Sequence, residues 1–172
     1  MFWLFVLKAL YFFLPAYLAN MFPPLAKSIP FFRSPVWERK LGKNKTWRGI
    51  LTATIMGGGI FWLQKVLYSK GFTSLAIIDY SDFSIALGFL MGFGAIFGDL
   101  VESYYKRKTG IAPGKPWIPF DQLDFVIGAL VLSFFIYVPP ASIVLILIVA
   151  SPLLHIVFNR LGYWLKINQN KY

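Results

Sequence analysis

Two pairs of acidic residues stand on either side of one short connection, and each pair is spaced by three positions. Asp99 and Glu102 follow a long apolar run, while Asp121 and Asp124 lie where the next apolar run begins. Residues three apart on a helix lie about 60° from each other, on one face. Two antiparallel helices would bring both pairs together, so we predict a cluster of four carboxylates. Such a cluster needs cations, and Mg²⁺ or basic side chains suit it.

A second group of chemically useful residues is basic. Three cations follow the first acid pair at 106–108, and the segment LGKNKTWRG at 41–49 sets three more among glycine, asparagine and threonine. Glycines allow backbone N–H groups to approach phosphate oxygens, and the cations neutralise those oxygens. The segment leads into an apolar stretch whose helical N-terminus also favours anions. Acids for Mg²⁺ and bases for phosphate together predict a metal–nucleotide site.

Both groups also have a simpler interpretation. Charged residues at helix ends mark the membrane surface, and an aspartate such as Asp121 commonly caps the start of a helix. Basic residues on one side of a membrane protein set its orientation. Two features favour a functional site instead: the matched spacing of the acid pairs, and the proline- and glycine-rich loop GIAPGKPWIPF between them.

The composition indicates an integral membrane protein. The chain has 172 residues, of which 58% are hydrophobic, and its mean hydropathy is +0.63. Its polar stretches are too short for a separate soluble domain, so we predict one domain over residues 1–172. The chain has no cysteine, which excludes disulfides and thiolate metal sites. The single histidine, His155, cannot form a zinc site alone.

We predict an all-α membrane protein with about five transmembrane helices and a polar site on the cytoplasmic side. An apolar helix needs about 20 residues to cross a bilayer. The candidate spans are 2–22, 49–67, 83–104, 123–138 and 141–159. Lys8 and Pro15 interrupt the first of them, and Pro152 kinks the last.

The basic residues indicate the orientation of these spans. Loops 23–48 and 105–122 and the tail after 159, which contains Lys166 and Lys171, hold 14 of the 17 lysines and arginines. With five spans, all three regions lie on the same side of the membrane. We therefore predict a multi-pass cell-membrane protein with its N-terminus outside and its active site facing the cytoplasm.

Two motifs carry a resemblance to a known family. The segments GKNKTWRG and GDLVESYYKRKTGIAPGKPWIPFDQLDF resemble those of the archaeal CDP-archaeol synthases. These are integral-membrane CTP transferases, similar to the bacterial and eukaryotic CDP-diacylglycerol synthases. The longer signature of the bacterial relatives, with a Lys-Asp pair and a His-Gly-Gly run before Asp-Arg-x-Asp, is not matched. The chain has GKPWIPFDQLD in that place, which favours the archaeal branch.

The resemblance implies a reaction and its participants. CMP would pass from CTP to an unsaturated ether lipid, 2,3-bis-geranylgeranyl-glycerol 1-phosphate, giving CDP-archaeol and pyrophosphate. The partners are then CTP, the isoprenoid lipid phosphate and membrane lipids, with no nucleic acid, and the cofactor is Mg²⁺ as one or two ions. A phosphate nucleophile is already ionised at neutral pH, so no general base is required.

We assign roles to the residues of the two motifs on this basis. The metal ligands are the four acids Asp99, Glu102, Asp121 and Asp124. The catalytic residues are Asp99, Asp121, Asp124 and Lys106. The substrate-binding residues are Lys43, Asn44, Lys45, Thr46, Arg48, Glu102, Arg107 and Lys115.

Three other functions compete with this hypothesis. A transporter or channel subunit would use the acids as a cytoplasmic cation site, since acids within membrane segments often mark ion paths. A CDP-alcohol phosphotransferase would also act on lipids, but its Asp-Gly-x₂-Ala-Arg run is absent. A non-catalytic membrane partner would leave the paired carboxylates without a purpose.

Overall fold

The described secondary structure is helical apart from one isolated β-bridge between Pro35 and Thr46. The structure is a computed structural model and describes residues 2–112 and 115–164, without the side chains of residues 155, 158, 159 and 161–164. Within those ranges the α-helices are α1 (Phe2–Phe12), α2 (Leu14–Leu25), α3 (Glu38–Leu41), α4 (Trp47–Ser69), α5 (Ala86–Lys108), α6 (Phe120–Ser133) and α7 (Ala141–Trp164). Lys166, Lys171 and the side chain of His155 lie outside the described part.

The lengths and compositions of the helices agree with a membrane protein. Helices α4 and α5 have 23 residues each and are apolar enough to cross a bilayer. At 1.5 Å per residue each is about 35 Å long, against a hydrocarbon core of about 30 Å. The bent pair of α1 and α2 adds a third candidate span if it is counted as one. The all-α membrane fold is thus confirmed, whereas the count of five spans stays a prediction.

The surface of the helices is apolar as well. Large side chains such as Trp3, Phe135 and Val149 are more than 60% exposed in the described chain. Water-soluble monomers rarely expose apolar surface on this scale, whereas lipid chains cover such surface in a bilayer. The exposed apolar side chains are therefore interpreted as lipid-facing.

The first predicted span is broken in the middle. Helices α1 and α2 meet at an angle of 52°, at Phe13. The cause is Pro15, which has no N–H to offer the carbonyl four residues earlier, that of Tyr11. Gln64 of α4, which is only 2% exposed, donates its amide Nε2–H to that carbonyl at 2.5 Å. The Tyr11 carbonyl, which the bend leaves without a helical partner, is therefore hydrogen-bonded to a side chain of α4.

Helices α4, α5 and α6 pack closely because glycines line both contacts of α5. Gly57 of α4 faces Gly92 of α5. On the other side of α5, a Cβ added at Gly98 would lie 2.0 Å from the carbonyl oxygen of Asp124 on α6. Backbones this close exclude any larger residue, as is common where membrane helices cross. The crossing of α5 and α6 therefore sets the distance between the two acid pairs.

Two predicted span boundaries differ from the ends of helices α5 and α6. Helix α5 continues to Lys108, so the cations at 106–108 lie on its last turn and not in the connecting loop. Basic side chains interact favourably with the negative end of a helix dipole, which accounts for this extension. Helix α6 ends at Ser133, five residues before the predicted limit of the fourth span. The four acids and the cations at 106–108 are consequently held on helices α5 and α6.

Replacing Gly98 by alanine tests the importance of the α5–α6 crossing. The new methyl group would meet the Asp124 carbonyl, and we expect the unfolding free energy to fall by about 1–3 kcal/mol, the usual cost of overpacking. Gly59 of α4 is the matched control, because an added Cβ there meets nothing within 4 Å. Alanine at Gly59 should be neutral or slightly stabilising. Thermal unfolding in detergent compares the two variants, and equal midpoints would contradict the prediction.

Candidate active site

Three carboxylates converge where α5 crosses α6. Asp99, Glu102 and Asp124 each offer one oxygen, and these oxygens lie within 4.8 Å of one another. Glu102 is 8% exposed, and the other two are half-buried. We call these three residues the acid triad. The i, i+3 spacing on α5 and the close approach of α6 together bring in three of the four carboxylates that the sequence predicts.

The fourth predicted acid of the cluster is not part of the triad. Asp121 lies in the first turn of α6 and accepts a hydrogen bond from the Trp117 N–H at 2.8 Å and one from the Lys106 ammonium at 2.7 Å. Burial by itself would raise the pKa of Asp121, but its contacts with the Glu102 carboxyl, the Lys106 ammonium and the Trp117 N–H hold that pKa below its usual value. Asp121 is thus a partner for Lys106 and for the loop before α6.

Lys106 lies between the acid pairs of α5 and α6. Its ammonium is 2.7 Å from Asp121 Oδ1 and 3.2 Å from Glu102 Oε1, and the side chain is only 10% exposed. The contact with Glu102 is an ion pair without hydrogen-bond geometry, so Glu102 Oε1 has no hydrogen-bond partner among the described residues. A buried oxygen in that condition is available to a further cation.

Lys45 approaches the acid triad from the segment between α2 and α4. Its ammonium lies 2.6 Å from both carboxylate oxygens of Asp99. The backbone at this point is fixed, because the Lys45 carbonyl accepts from Val36 N–H at 2.8 Å and Thr46 pairs with Pro35 in a β-bridge. The pairing joins residues 54 positions apart. It connects the two motifs that the sequence singled out.

Two predicted phosphate-binding residues have structural contacts instead. Arg48, which is 8% exposed, donates from Nη1 to the carbonyl oxygens of Lys27 at 2.9 Å and Ile29 at 2.7 Å. The Thr46 hydroxyl accepts from Gly49 N–H at 3.2 Å and caps the N-terminus of α4. Both residues shape the segment that presents Lys45. Their assignment as direct substrate ligands stays a prediction.

A polar pocket of about 640 Å³ lies between α3 and the end of α5, the helix that carries Asp99 and Glu102. Its lining residues are Glu38, Arg39, Gly42, Lys43, Asn44 and Arg107. Nε and Nη1 of Arg107 are buried and lack a hydrogen-bond partner in the described chain. The pocket also carries Arg39 and Lys43, and a lining with three cationic residues suits an anion. Lys115, the remaining predicted ligand, is exposed.

Sequence reasoning missed the contribution of α3 to this pocket. Glu38 and Arg39 were read only as charges of a loop, but they form a short helix that packs against α5. The ammonium of Lys40 lies over the rings of Trp37, at 4.2 Å, and Tyr104, at 5.5 Å. The run of tryptophan followed by three charged residues is the signal that predicts such a contact.

The donor set fits a divalent metal ion. All three groups of the acid triad are carboxylates, the hard oxygen ligands that Mg²⁺, Ca²⁺ and Mn²⁺ prefer. The four acids carry a formal charge of −4, and the ammonium groups of Lys45 and Lys106 supply +2 in the described site. The remaining charge matches one divalent ion. The acid triad is therefore a candidate metal site on its chemistry and its geometry.

A membrane-embedded helical fold with oxygen ligands for a metal beside cations for phosphate is typical of membrane enzymes that act on phosphate esters. The family model described as CarS-like, CDP-archaeol synthase, matches residues 2–172. The chain belongs to this family.

Individual relatives agree with the family match. The CDP-archaeol synthase of Pyrococcus furiosus is 34% identical over 94% of this chain and 95% of its own length. That of Methanococcus maripaludis strain C7 is 30% identical over 96% of each chain. A solved structure, described as an intramembrane enzyme for archaeal membrane lipids biosynthesis, is 29% identical, with a TM-score of 0.66 over 90% of this chain and 94% of that one. The transporter alternative finds no support in these comparisons.

Replacing Arg48 by glutamine tests its structural role. The change leaves the Lys27 and Ile29 carbonyls without their charged donor, and we expect the unfolding free energy to fall by roughly 2 kcal/mol. For a chain of this size that shift lowers the unfolding midpoint by several degrees. Arg39→Gln is the control, because Arg39 is exposed and this substitution removes the same positive charge. An Arg48→Gln midpoint equal to that of Arg39→Gln would refute the structural role.

Proposed function

We propose that this protein transfers CMP from CTP to 2,3-bis-geranylgeranyl-glycerol 1-phosphate, which yields CDP-archaeol and pyrophosphate. The observation that carries the proposal is the acid triad, with Lys45 and Lys106 in contact with two of its members. Membership of the CDP-archaeol synthase family supplies the class of substrates. The site lies on residues of both motifs that resemble that family.

The acid triad is proposed to hold Mg²⁺. Asp99 and Glu102 would hold the ion from α5, and Asp124 would hold it from α6. A divalent ion bound there would neutralise the phosphates of CTP and stabilise the charge that develops on the departing pyrophosphate. Asp121 orients Lys106 and supports the metal site through it.

The reaction itself is one displacement at phosphorus. An ionised oxygen of the lipid phosphate attacks the α-phosphorus of CTP, the new P–O bond forms, and the bond to the bridging oxygen of the β-phosphate breaks. That oxygen keeps the bonding electrons and leaves with pyrophosphate. No proton has to be removed from the nucleophile, so positioning and charge neutralisation account for catalysis. This agrees with a site composed of carboxylates, lysines and arginine.

The lysines beside the acid triad and the residues of the polar pocket are proposed to bind different parts of the substrates. Lys45 and Lys106 lie beside the acid triad and are proposed to bind the phosphates nearest the reacting bond. Lys43, Asn44 and Arg107 line the polar pocket and are proposed to bind the remainder of CTP. Thr46 and Arg48 hold the segment in place, and the exposed Lys115 attracts the anionic substrates.

An apolar groove on the lipid-facing side is proposed to receive an isoprenoid chain of the lipid. It has a volume of about 310 Å³ and lies between α2 and α4. Its lining residues are Phe22, Thr52, Ile55, Met56, Gly59 and Ile60. The hydroxyl of Thr52 donates to the carbonyls of Arg48 and Gly49, so it presents no unpaired donor to the groove. Because the groove has an apolar lining and no unpaired hydroxyl donor from Thr52, it suits a hydrocarbon chain.

The arrangement in the membrane completes the proposal. Residues 1–172 form one domain with about five spans, the N-terminus lies outside, and the site faces the cytoplasm. CTP then arrives from water while the lipid chains stay in hydrocarbon. The concentration of basic residues in three regions supports this orientation.

Pyrophosphate release by the purified protein tests the reaction. We expect release that requires CTP, Mg²⁺ and the geranylgeranyl lipid phosphate together, and that falls to background with ATP in place of CTP or after chelation of the metal. Diacyl phosphatidic acid is the control lipid. Release with that lipid but not with the ether lipid would overturn the proposed substrate, and release with neither would overturn the proposed reaction.

Substitution of the triad tests the catalytic assignment. Asp99→Asn and Asp124→Asn each remove one negative ligand, and we expect kcat to fall by about 100-fold or more, as when electrostatic stabilisation of a transition state is lost. Asp82→Asn is the control, because Asp82 is exposed before α5 and this substitution removes the same negative charge. Normal turnover by both triad variants would exclude the assignment.

Cysteine labelling tests the orientation, since the natural chain contains no cysteine. Lys108 and Asp82 are exposed and lie near opposite ends of α5. In sealed right-side-out vesicles, a membrane-impermeant maleimide should label Asp82→Cys and spare Lys108→Cys. Inverted vesicles should give the opposite result, and labelling of both positions from one side would refute the orientation.

A further inference from the structure

The contact between Lys45 and Asp99 has a consequence for the order in which ligands bind. We propose that Lys45 is an internal counter-ion that must leave Asp99 before a divalent metal ion can bind the acid triad, and that it then binds a phosphate of the nucleotide. Lys45 thereby couples metal binding to nucleotide binding. The identity of the nucleotide as CTP rests on the proposed function, whereas the competition between Lys45 and the metal does not.

The geometry of Asp99 is the first support. Because the ammonium lies 2.6 Å from both oxygens of Asp99, it occupies the face that a bidentate or bridging metal ion would use. A divalent ion bound to Asp99 would lie only a few ångströms from that ammonium. The side chains of Lys45 and Asp99 are 23% and 22% exposed, so water screens the repulsion only in part. The metal and the ammonium are therefore competitors.

The backbone around Lys45 is the second support. The Lys45 carbonyl is bonded to Val36 N–H, and Thr46 both pairs with Pro35 and caps α4. Release of Asp99 therefore requires rotation of the lysine side chain and no movement of the segment. A lysine has four rotatable methylene links and carries its charge as a point, which suits such an exchange. Lys43 and Asn44, which directly precede Lys45 in the chain, line the polar pocket that is proposed to bind part of CTP.

Lys106 provides the internal comparison. Its side chain is 10% exposed, and its shorter contact is with Asp121, outside the acid triad. Because Glu102 Oε1 accepts no hydrogen bond in the described chain, a metal ion could use it while Lys106 keeps its shorter contact with Asp121. Lys106 therefore remains in place, whereas Lys45 has no second carboxylate partner in the described chain. The two lysines have different roles although both contact the triad.

Metal binding without nucleotide gives the test. Mn²⁺ is the probe, because it takes the same oxygen ligands as Mg²⁺ and its free form is measured by electron paramagnetic resonance. For the full-length protein in detergent, we expect Lys45→Met to bind Mn²⁺ about tenfold more tightly than the unaltered protein, since a like charge next to the site is removed. Lys108→Met is the control, because Lys108 is exposed on the last turn of α5 and loses the same charge.

A second measurement separates competition from a merely structural role. Lys45→Met should bind CTP more weakly than the unaltered protein while it binds Mn²⁺ more tightly, whereas damage to the fold would weaken both. Addition of Asp99→Asn to Lys45→Met should abolish the gain in Mn²⁺ affinity. Unchanged or weaker Mn²⁺ binding by Lys45→Met, or an equal gain in Lys108→Met, would overturn the proposal. A protein that shows the expected Mn²⁺ affinities but no turnover would instead count against the proposed function alone.

Discussion

The mutual repulsion of the acids at the α5–α6 crossing is the constraint on which the rest of the site depends. Three carboxylates hold oxygens within 4.8 Å of one another, with Asp121 a further acid beside them. Such a group is stable only if cations are fixed nearby, since burial of unpaired charge is costly. Lys106 is supplied by α5 itself, and Lys45 by a separate segment whose backbone is held against α4. The fold thus supplies counter-charge from two directions.

The glycines explain how the acids come close enough to need that counter-charge. Gly98 immediately precedes Asp99, and its Cα faces the backbone of Asp124. Any side chain at Gly98 would push α6 away and with it one of the three carboxylates. The same residue therefore determines helix packing and the spacing of the acid triad. In a bilayer, where no hydrophobic force drives helices together, such backbone contact is a principal source of association.

The sequence predicts those parts of the site that depend on local periodicity. The spacing of Asp99 and Glu102 and the position of Asp124 at the start of α6 follow from helix geometry, and the family was recognised from the two motifs. The all-α membrane fold was likewise predicted correctly. Bends are partly predictable, because Pro15 indicated an interruption of the first span but not that Gln64 would pair the freed carbonyl.

The remaining features depend on contacts between distant parts of the chain. Nothing in the spacing indicates that Lys45 reaches Asp99 over 54 positions, or that the Arg48 guanidinium binds backbone carbonyls. The run at 106–108 was read as loop because charge usually ends a membrane span, but the helix dipole and the partner carboxylates keep these residues helical. Side-chain pairing in three dimensions decides between a phosphate ligand and a structural ion pair, and a pattern of residue types does not encode it.

The charge of the site explains why a phosphate-binding enzyme is built around acids at all. With both lysines in place, the four acids leave a formal charge of −2, which repels an anionic nucleotide and attracts a divalent ion. On the proposed order, a divalent ion would neutralise the acids only after the Lys45 ammonium has left Asp99. The charge of that ammonium becomes available to phosphate only at that point. We propose that this balance disfavours phosphate binding at the acid triad before a metal ion binds, and that one flexible side chain on a fixed backbone sets this order.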